Sequence, residues 1–121
     1  MYWIDPRPIT AEKLLVAPPE DPTAAWASGT TYAVGDERHL PATHRVYTCV
    51  TAGPSTTSPD KDPSNWVDTR PTNRWAPFDL YTQLTKAVKT DGDLVYEIAS
   101  RYCTAIALDG LEGESVLVEV L

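Results

Sequence analysis

The sequence predicts an all-β protein, and three features of the 121-residue chain indicate this class. Short runs of alternating apolar and polar residues recur, most clearly at residues 45–51 and 115–121. Glycine, aspartate and proline separate these runs, as they do between strands. All 11 prolines lie in residues 1–77 and none lies in residues 78–121. This asymmetry predicts two differently built parts, each too small for a large core of its own.

The first part is predicted to be an extended arm followed by a small β module. Residues 1–24 form the arm, because their five prolines exclude a long helix or a central strand. One apolar stretch, residues 12–17, is predicted as a short edge strand. Residues 25–70 form the module, whose core must be aromatic because few aliphatic residues are present. Three strands are predicted in it, at residues 31–34, 45–51 and 65–68.

The second part follows a proline-bounded connector at residues 71–77 and covers residues 78–121. Its alternating runs predict three strands, at residues 94–99, 102–108 and 115–121. A hairpin-type loop is predicted at residues 109–114.

Two features of this part leave alternatives open. Residues 79–89 fit a helical apolar stripe with Asp79 as its N-cap, but three threonines weaken a helix there. Leu121 lies inside an apolar run. We therefore expect either that the natural chain continues or that another chain completes this strand.

Charge and hydropathy disfavour several classes of partner. The net charge is −7 and no run of Lys or Arg occurs, so neither nucleic acid nor an anionic membrane surface is an expected partner. No apolar run reaches the roughly 18 residues of a membrane span. The first residues lack the basic and apolar regions of a secretory signal.

Motif searches predict no enzyme, no metal site and no cofactor. The chain contains neither a phosphate-binding loop nor a nucleophile elbow. His39 and His44 are separated by Pro41, which breaks the helical spacing of a zinc-binding pair, so both are predicted in an exposed hairpin turn. Cys49 and Cys103 are predicted as buried free thiols, with a single bridge between them as the alternative.

Aromatic side chains are the most informative feature of the module. Trp26, Tyr32, Tyr47 and Trp66 all fall within it. They either build its core or, where exposed, stack on the apolar face of a sugar ring.

Their spacing resembles the chitin-binding type of carbohydrate-binding module, in families five and twelve. The match covers about 45 residues and includes Ala25, Trp26, Tyr32, Gly35, Asp36, Tyr47, Cys49, Pro63 and Trp66. The resemblance implies a tight turn at Gly35-Asp36, core packing by Trp26 and Tyr47, and stacking of Trp66 on polysaccharide. Residues 56–63 lack the further aromatic that such modules often carry.

The flanks resemble tail proteins of double-stranded DNA phages. Residues 71–79 (PTNRWAPFD) are similar to a TNRWAMFD-like run that follows a module of this type in those proteins. A β-sandwich comes next in them, with a segment similar to residues 104–120. The resemblance implies that Asn73, Arg74, Trp75 and Phe78 join the module to that sandwich, with Trp75 buried and Arg74 paired with a carboxylate.

The expected function is therefore that of a structural virion protein in a phage tail or baseplate, made in the host cytoplasm. Its expected partners are other tail proteins, copies of itself and, through the module, a host-surface polysaccharide. The alternative is a stand-alone chitin-type binding module of a secreted hydrolase, which accounts for residues 25–68 only.

Overall fold

A computed structural model describes residues 8–79, 87–89, 92–99, 106, 108 and 111–120. Within these residues the regular elements are strands and two single-turn 3-10 helices, which confirms the all-β class. The strands are β1 (Leu14–Val16), β2 (Thr30–Tyr32), β3 (Glu37–Leu40), β4 (Arg45–Cys49), β5 (Gly53–Ser55), β6 (Trp66–Pro71) and β7 (Glu97–Ile98). The 3-10 helices are Pro59–Lys61 and Ala76–Phe78. Neither helix is long enough to cross a membrane.

An antiparallel sheet in the order β3-β4-β6 forms the centre of the module. Successive side chains of a strand point to opposite faces, and on β4 both Val46 and Tyr47 are buried. Both faces of the central strand are therefore covered. The register between β4 and β6 shifts because β6 carries one extra residue, Thr69, between the partners of Val46 and Tyr47.

A second, two-stranded sheet closes the core. Strand β2 pairs antiparallel with β5, which brings Tyr32 against Trp66, with ring centroids 5.1 Å apart in an edge-to-face arrangement. The core cluster contains Tyr32, Leu40, Tyr47, Cys49 and Trp66, and Trp26 packs against it. The predicted aromatic core is confirmed.

Strands β3 and β5 were not predicted, and the three-stranded sheet is not the predicted one. The expected strand at residues 31–34 corresponds to β2, which pairs with β5 outside that sheet. Strand β3 is rich in polar residues, so it lacks the alternation of a strand. Strand β5 contains Pro54, which lacks a ladder donor and suits only an edge position.

The arm reaches the second part of the chain through β1. The predicted edge strand at residues 12–17 is confirmed at Leu14–Val16, which pairs antiparallel with β7. Leu14 lies opposite Ile98, and Ala99 donates its backbone N–H to the Lys13 carbonyl at 2.8 Å.

Within the described part of residues 78–121 the strand content is smaller than predicted. Strand β7 covers two residues of the predicted 94–99. The strand predicted at 115–121 is wrong for residues 115–120, which do not form a strand and pair with no other described residue; there Leu117 is 81% and Val120 84% exposed. Asp79 has an extended backbone and residues 87–89 are not helical. Residues 80–86, Leu121 and most of the predicted strand at 102–108 lie outside the described residues, and the sandwich stays a prediction.

Candidate functional site

Three of the four candidate sugar-stacking rings lie inside the module. Trp66 is 2% exposed, Tyr32 3% and Tyr47 5%. Trp66 lies opposite Cys49 across the β4–β6 ladder and so shares its core-facing side. The expectation that Trp66 stacks on a polysaccharide is therefore not met in this structure, because its side chain is almost fully buried.

Hydrogen bonds fix the polar atoms of these rings. Ser55 Oγ accepts from the indole N–H groups of both Trp26 and Trp66, at 3.2 and 3.3 Å. The Tyr32 hydroxyl accepts from the Ala27 N–H at 2.8 Å and donates to the Ala27 carbonyl at 3.0 Å. Of the four candidates, Trp26 alone keeps substantial exposed surface, since it is half-buried.

A small cavity of about 160 Å³ adjoins the rings of Tyr32 and Trp66. Cys49, Thr51 and Asn65 also line it. Ligand pockets usually measure ~300–1,000 Å³, so this cavity is too small for an oligosaccharide.

The predicted tight turn at Gly35-Asp36 is present. Gly35 has a φ of 92°, which lies in the left-handed region that glycine tolerates. Asp36 closes the turn with two hydrogen bonds to Ala33, each 3.1 Å long. Its N–H donates to the Ala33 carbonyl, and its carboxylate accepts from the Ala33 N–H.

A cluster that we call the arm clamp holds the arm to the module. The Asp21 carboxylate accepts hydrogen bonds from the Arg70 guanidinium, from the Thr23 N–H at 3.0 Å and from the Asn73 N–H at 3.1 Å. Burial alone would raise the pKa of Asp21, but the hydrogen bonds from Arg70 and Thr23 and the charge of Arg70 hold it well below its ordinary value. The clamp thus joins the arm, β6 and the connector through one ionised group.

Arg45 makes a second ion-pair junction, at the start of β4. Its Nε donates to Asp68 on β6 at 2.7 Å, and its Nη1 donates to Asp79, beyond the connector, at 3.1 Å. The Asp79 side chain is almost fully buried, so the pair is shielded from solvent on that side.

The connector residues named from the resemblance do bridge separate parts of the chain. Asn73 donates through Nδ2 to the Val88 carbonyl at 3.1 Å and accepts from the Val88 N–H at 2.8 Å. Arg74 Nε donates to the Pro18 carbonyl at 3.0 Å, and the Tyr96 hydroxyl donates to the Arg74 carbonyl at 3.1 Å. Among the described residues, the Arg74 guanidinium thus contacts a backbone carbonyl of the arm rather than the expected carboxylate. The guanidinium–carboxylate pairs among the described residues lie at Arg38, Arg45 and Arg70.

Trp75 and Phe78 belong to a row of four rings. Trp75 is half-buried rather than buried, and it stacks on His44 with centroids 4.2 Å apart and planes inclined by 23°. Phe78 meets Trp75 at 6.0 Å and Tyr96 at 5.5 Å, both edge-to-face. Burial raises the pKa of the Tyr96 hydroxyl to about 12. The sequence predicted neither His44 nor Tyr96 as part of this row.

The two histidines are placed differently from the prediction. His39 lies on β3, half-buried, with its Nδ1 2.5 Å from the Thr23 carbonyl. His44 does end the hairpin turn, with a φ of 56°, but its ring is half-buried rather than exposed. His39 was predicted in a turn because the polar residues of β3 show no strand alternation. In the structure, backbone pairing with β4 places it on a strand.

The described residues contain no group of three or more His, Cys, Asp or Glu side chains that could hold a metal ion. Cys49 is a buried free thiol that donates to the Thr51 carbonyl at 3.2 Å, as predicted for this residue, whereas Cys103 lies outside the described residues. No protein-family model, curated protein or solved structure matches the chain.

Proposed function

We propose that the chain is a structural, non-catalytic component of a double-stranded DNA phage tail or baseplate. The observation that supports this role best is the bonding of the Asn73-Arg74 pair. Both side chains hydrogen-bond to backbone atoms outside the module, at Val88 and Pro18. This is the junction role that the resemblance to phage tail proteins implies for that run.

The distribution of polar contacts supports an assembly role. The arm clamp and the Arg45 junction connect the arm, the module and the connector, while the aromatic residues fill the module's core. These contacts hold the arm and the connector against the module. The partners we propose are other tail proteins and further copies of this chain, in the virion.

Immunogold labelling of phage particles, viewed by electron microscopy, tests this role. Antibodies raised against the purified chain should decorate the tails of particles of the phage that encodes it. Pre-incubation with the purified chain should remove the label. Antibody that binds only soluble protein from the lysate, and never a particle, would contradict a virion role.

Contact with a host-surface glycan is a second candidate function, and Trp26 is the residue that favours it. Its indole is half-buried and held by Ser55, so its exposed part has a fixed orientation. If the full chain binds on a glycan array, Trp26→Ala should weaken that binding and Trp26→Phe should restore most of it. Exposed Val67→Ala is the matched control. An array without any bound glycan would remove this candidate and leave the structural role standing.

The stand-alone binding module of a secreted hydrolase is less well supported. That alternative treats residues 25–68 as self-sufficient, whereas Arg70 and Asn73, just beyond them, bond to Asp21 of the arm.

A further inference from the structure

The hairpin turn between β3 and β4 meets the connector at His44. The His44 N–H donates to the Leu40 carbonyl at 3.0 Å and closes the turn. The His44 carbonyl accepts from the Thr72 N–H at 2.9 Å, and the imidazole stacks on Trp75. One residue therefore joins the turn to the connector through both its backbone and its ring.

Hydrogen bonding at this junction is incomplete. Three buried side-chain atoms, His44 Nδ1, Thr72 Oγ1 and Trp75 Nε1, have no hydrogen-bond partner among the described residues. The indoles of the module core, by contrast, both donate to Ser55. Buried polar groups are nearly always paired in folded proteins, so this junction is held less firmly than the core beside it.

Protonation of His44 would make the missing hydrogen bond at Nδ1 more costly. A neutral imidazole with its proton on Nε2 has only a lone pair at Nδ1, whereas the protonated ring carries an N–H there. A buried N–H without an acceptor is costly, and a buried charge is more so. The burial of Nδ1 without a hydrogen-bond partner therefore favours the neutral ring.

Charged groups of both signs lie around the ring. Glu20 of the arm favours the protonated ring, and Arg74 of the connector disfavours it. Arg45 and Asp79, which line the same groove as His44, form an ion pair with each other. Burial is the largest influence, and it lowers the pKa of His44 below its ordinary value of 6.5.

We propose that His44 and Trp75 form an acid-sensitive latch between the hairpin turn and the connector, which opens when His44 takes up a proton. A groove of about 430 Å³, lined in part by Thr43, Pro71 and Phe78, adjoins the ring and gives the charged imidazole a path to water. The Asp21 carboxyl, whose pKa is held far below the ordinary value, keeps the arm clamp ionised over the same pH range. The opening is therefore local to the connector.

Tryptophan fluorescence of the full chain tests the latch, because protonation of the stacked imidazole changes the surroundings of Trp75. Titration from pH 8 to pH 4.5 should give a step whose midpoint lies below 6.5. The step should vanish in His44→Asn, since asparagine tolerates the positive φ, and also in Trp75→Phe. His39→Gln is the matched control, because the chain has two histidines, and it should keep the step. A step that survives His44→Asn, or that His39→Gln removes, would overturn the latch.

Hydrogen exchange gives an independent readout. The N–H groups of Trp75 and Ala76 both donate to the Thr72 carbonyl at 2.9 Å. Their protection, corrected for intrinsic rates, should fall by up to about tenfold for each pH unit below the midpoint, and His44→Asn should abolish this pH dependence. Amides of β4 should stay protected. Equal loss of protection in β4 would mean global unfolding and would overturn a local latch.

Discussion

Replacing Asp21 with alanine should release the arm from the β module and lower the stability of the whole assembly of arm, module and connector. The side chain is only 3% exposed, and its two oxygens accept hydrogen bonds from both terminal nitrogens of Arg70 and from two backbone N–H groups. Alanine removes every one of these acceptors. Arg70 and the N–H groups of Thr23 and Asn73 then lose a partner.

The size of the loss follows from the burial of the two partners. Truncating one member of a fully buried ion pair costs ~3–5 kcal/mol. The Arg70 side chain is 30% exposed and can be partly rehydrated, so we expect the lower end, about 3 kcal/mol. For a unit of ~60–100 residues each kcal/mol lowers Tm by ~4–8 °C, which gives a fall of roughly 12–24 °C.

Urea unfolding and thermal melts followed by tryptophan fluorescence measure this loss. Asp60→Ala is the matched control, because Asp60 is an exposed aspartate, and it should change the free energy of unfolding by less than about 0.5 kcal/mol. Because the pKa of Asp21 is lowered by folding, its contribution is present above the unfolded-state value near 3.8 and is lost as the pH falls below it. The wild type and Asp21→Ala should therefore converge toward pH 2.

Two results would refute this reasoning. An Asp21→Ala variant that melts within about 2 °C of the wild type at pH 7 would mean that the clamp contributes nothing. A stability difference that stays constant from pH 7 to pH 2 would mean that the carboxylate charge is not its source.

Three further predictions concern single side chains. Trp66→Ala should cost about 3–5 kcal/mol in chemical denaturation because the indole is a central core group, and a cost no larger than that of half-buried Trp26→Ala would contradict this. Spectrophotometric titration at alkaline pH should detect a tyrosine that ionises near 12, and its persistence in Tyr96→Phe would show that it is another tyrosine. In a Cys103→Ser background, Cys49 should resist a thiol reagent until the protein unfolds, and rapid labelling of the native protein would rule out its burial.

Composition and short-range pattern were enough to predict part of the fold. Residues 25–70 contain several aromatic but few aliphatic side chains, so the core of the module was predicted to be aromatic, as it is. Strand β4 and the turn at Gly35-Asp36 follow from alternation and from glycine chemistry, both of which act between near neighbours. The edge strand at Leu14–Val16 follows from one apolar stretch among prolines.

The features that the sequence pattern did not predict depend on pairing between distant segments of the chain. Strand β3 is a strand because β4 pairs with it, not because its polar residues alternate. The side to which Trp66 points is set by its register opposite Cys49, which no local spacing reveals. The Asp21–Arg70 clamp and the His44–Trp75 stack each join residues far apart in the sequence, where neither periodicity nor a short motif marks them.

The most direct test of the tail role is a cryo-electron-microscopy reconstruction of the tail of the phage that encodes the chain. We expect density for the β3-β4-β6 sheet, with the arm held against it at Asp21 and Arg70, repeated in symmetry-related copies that contact other tail proteins. A complete tail in which every density is assigned to other chains would contradict the proposed function.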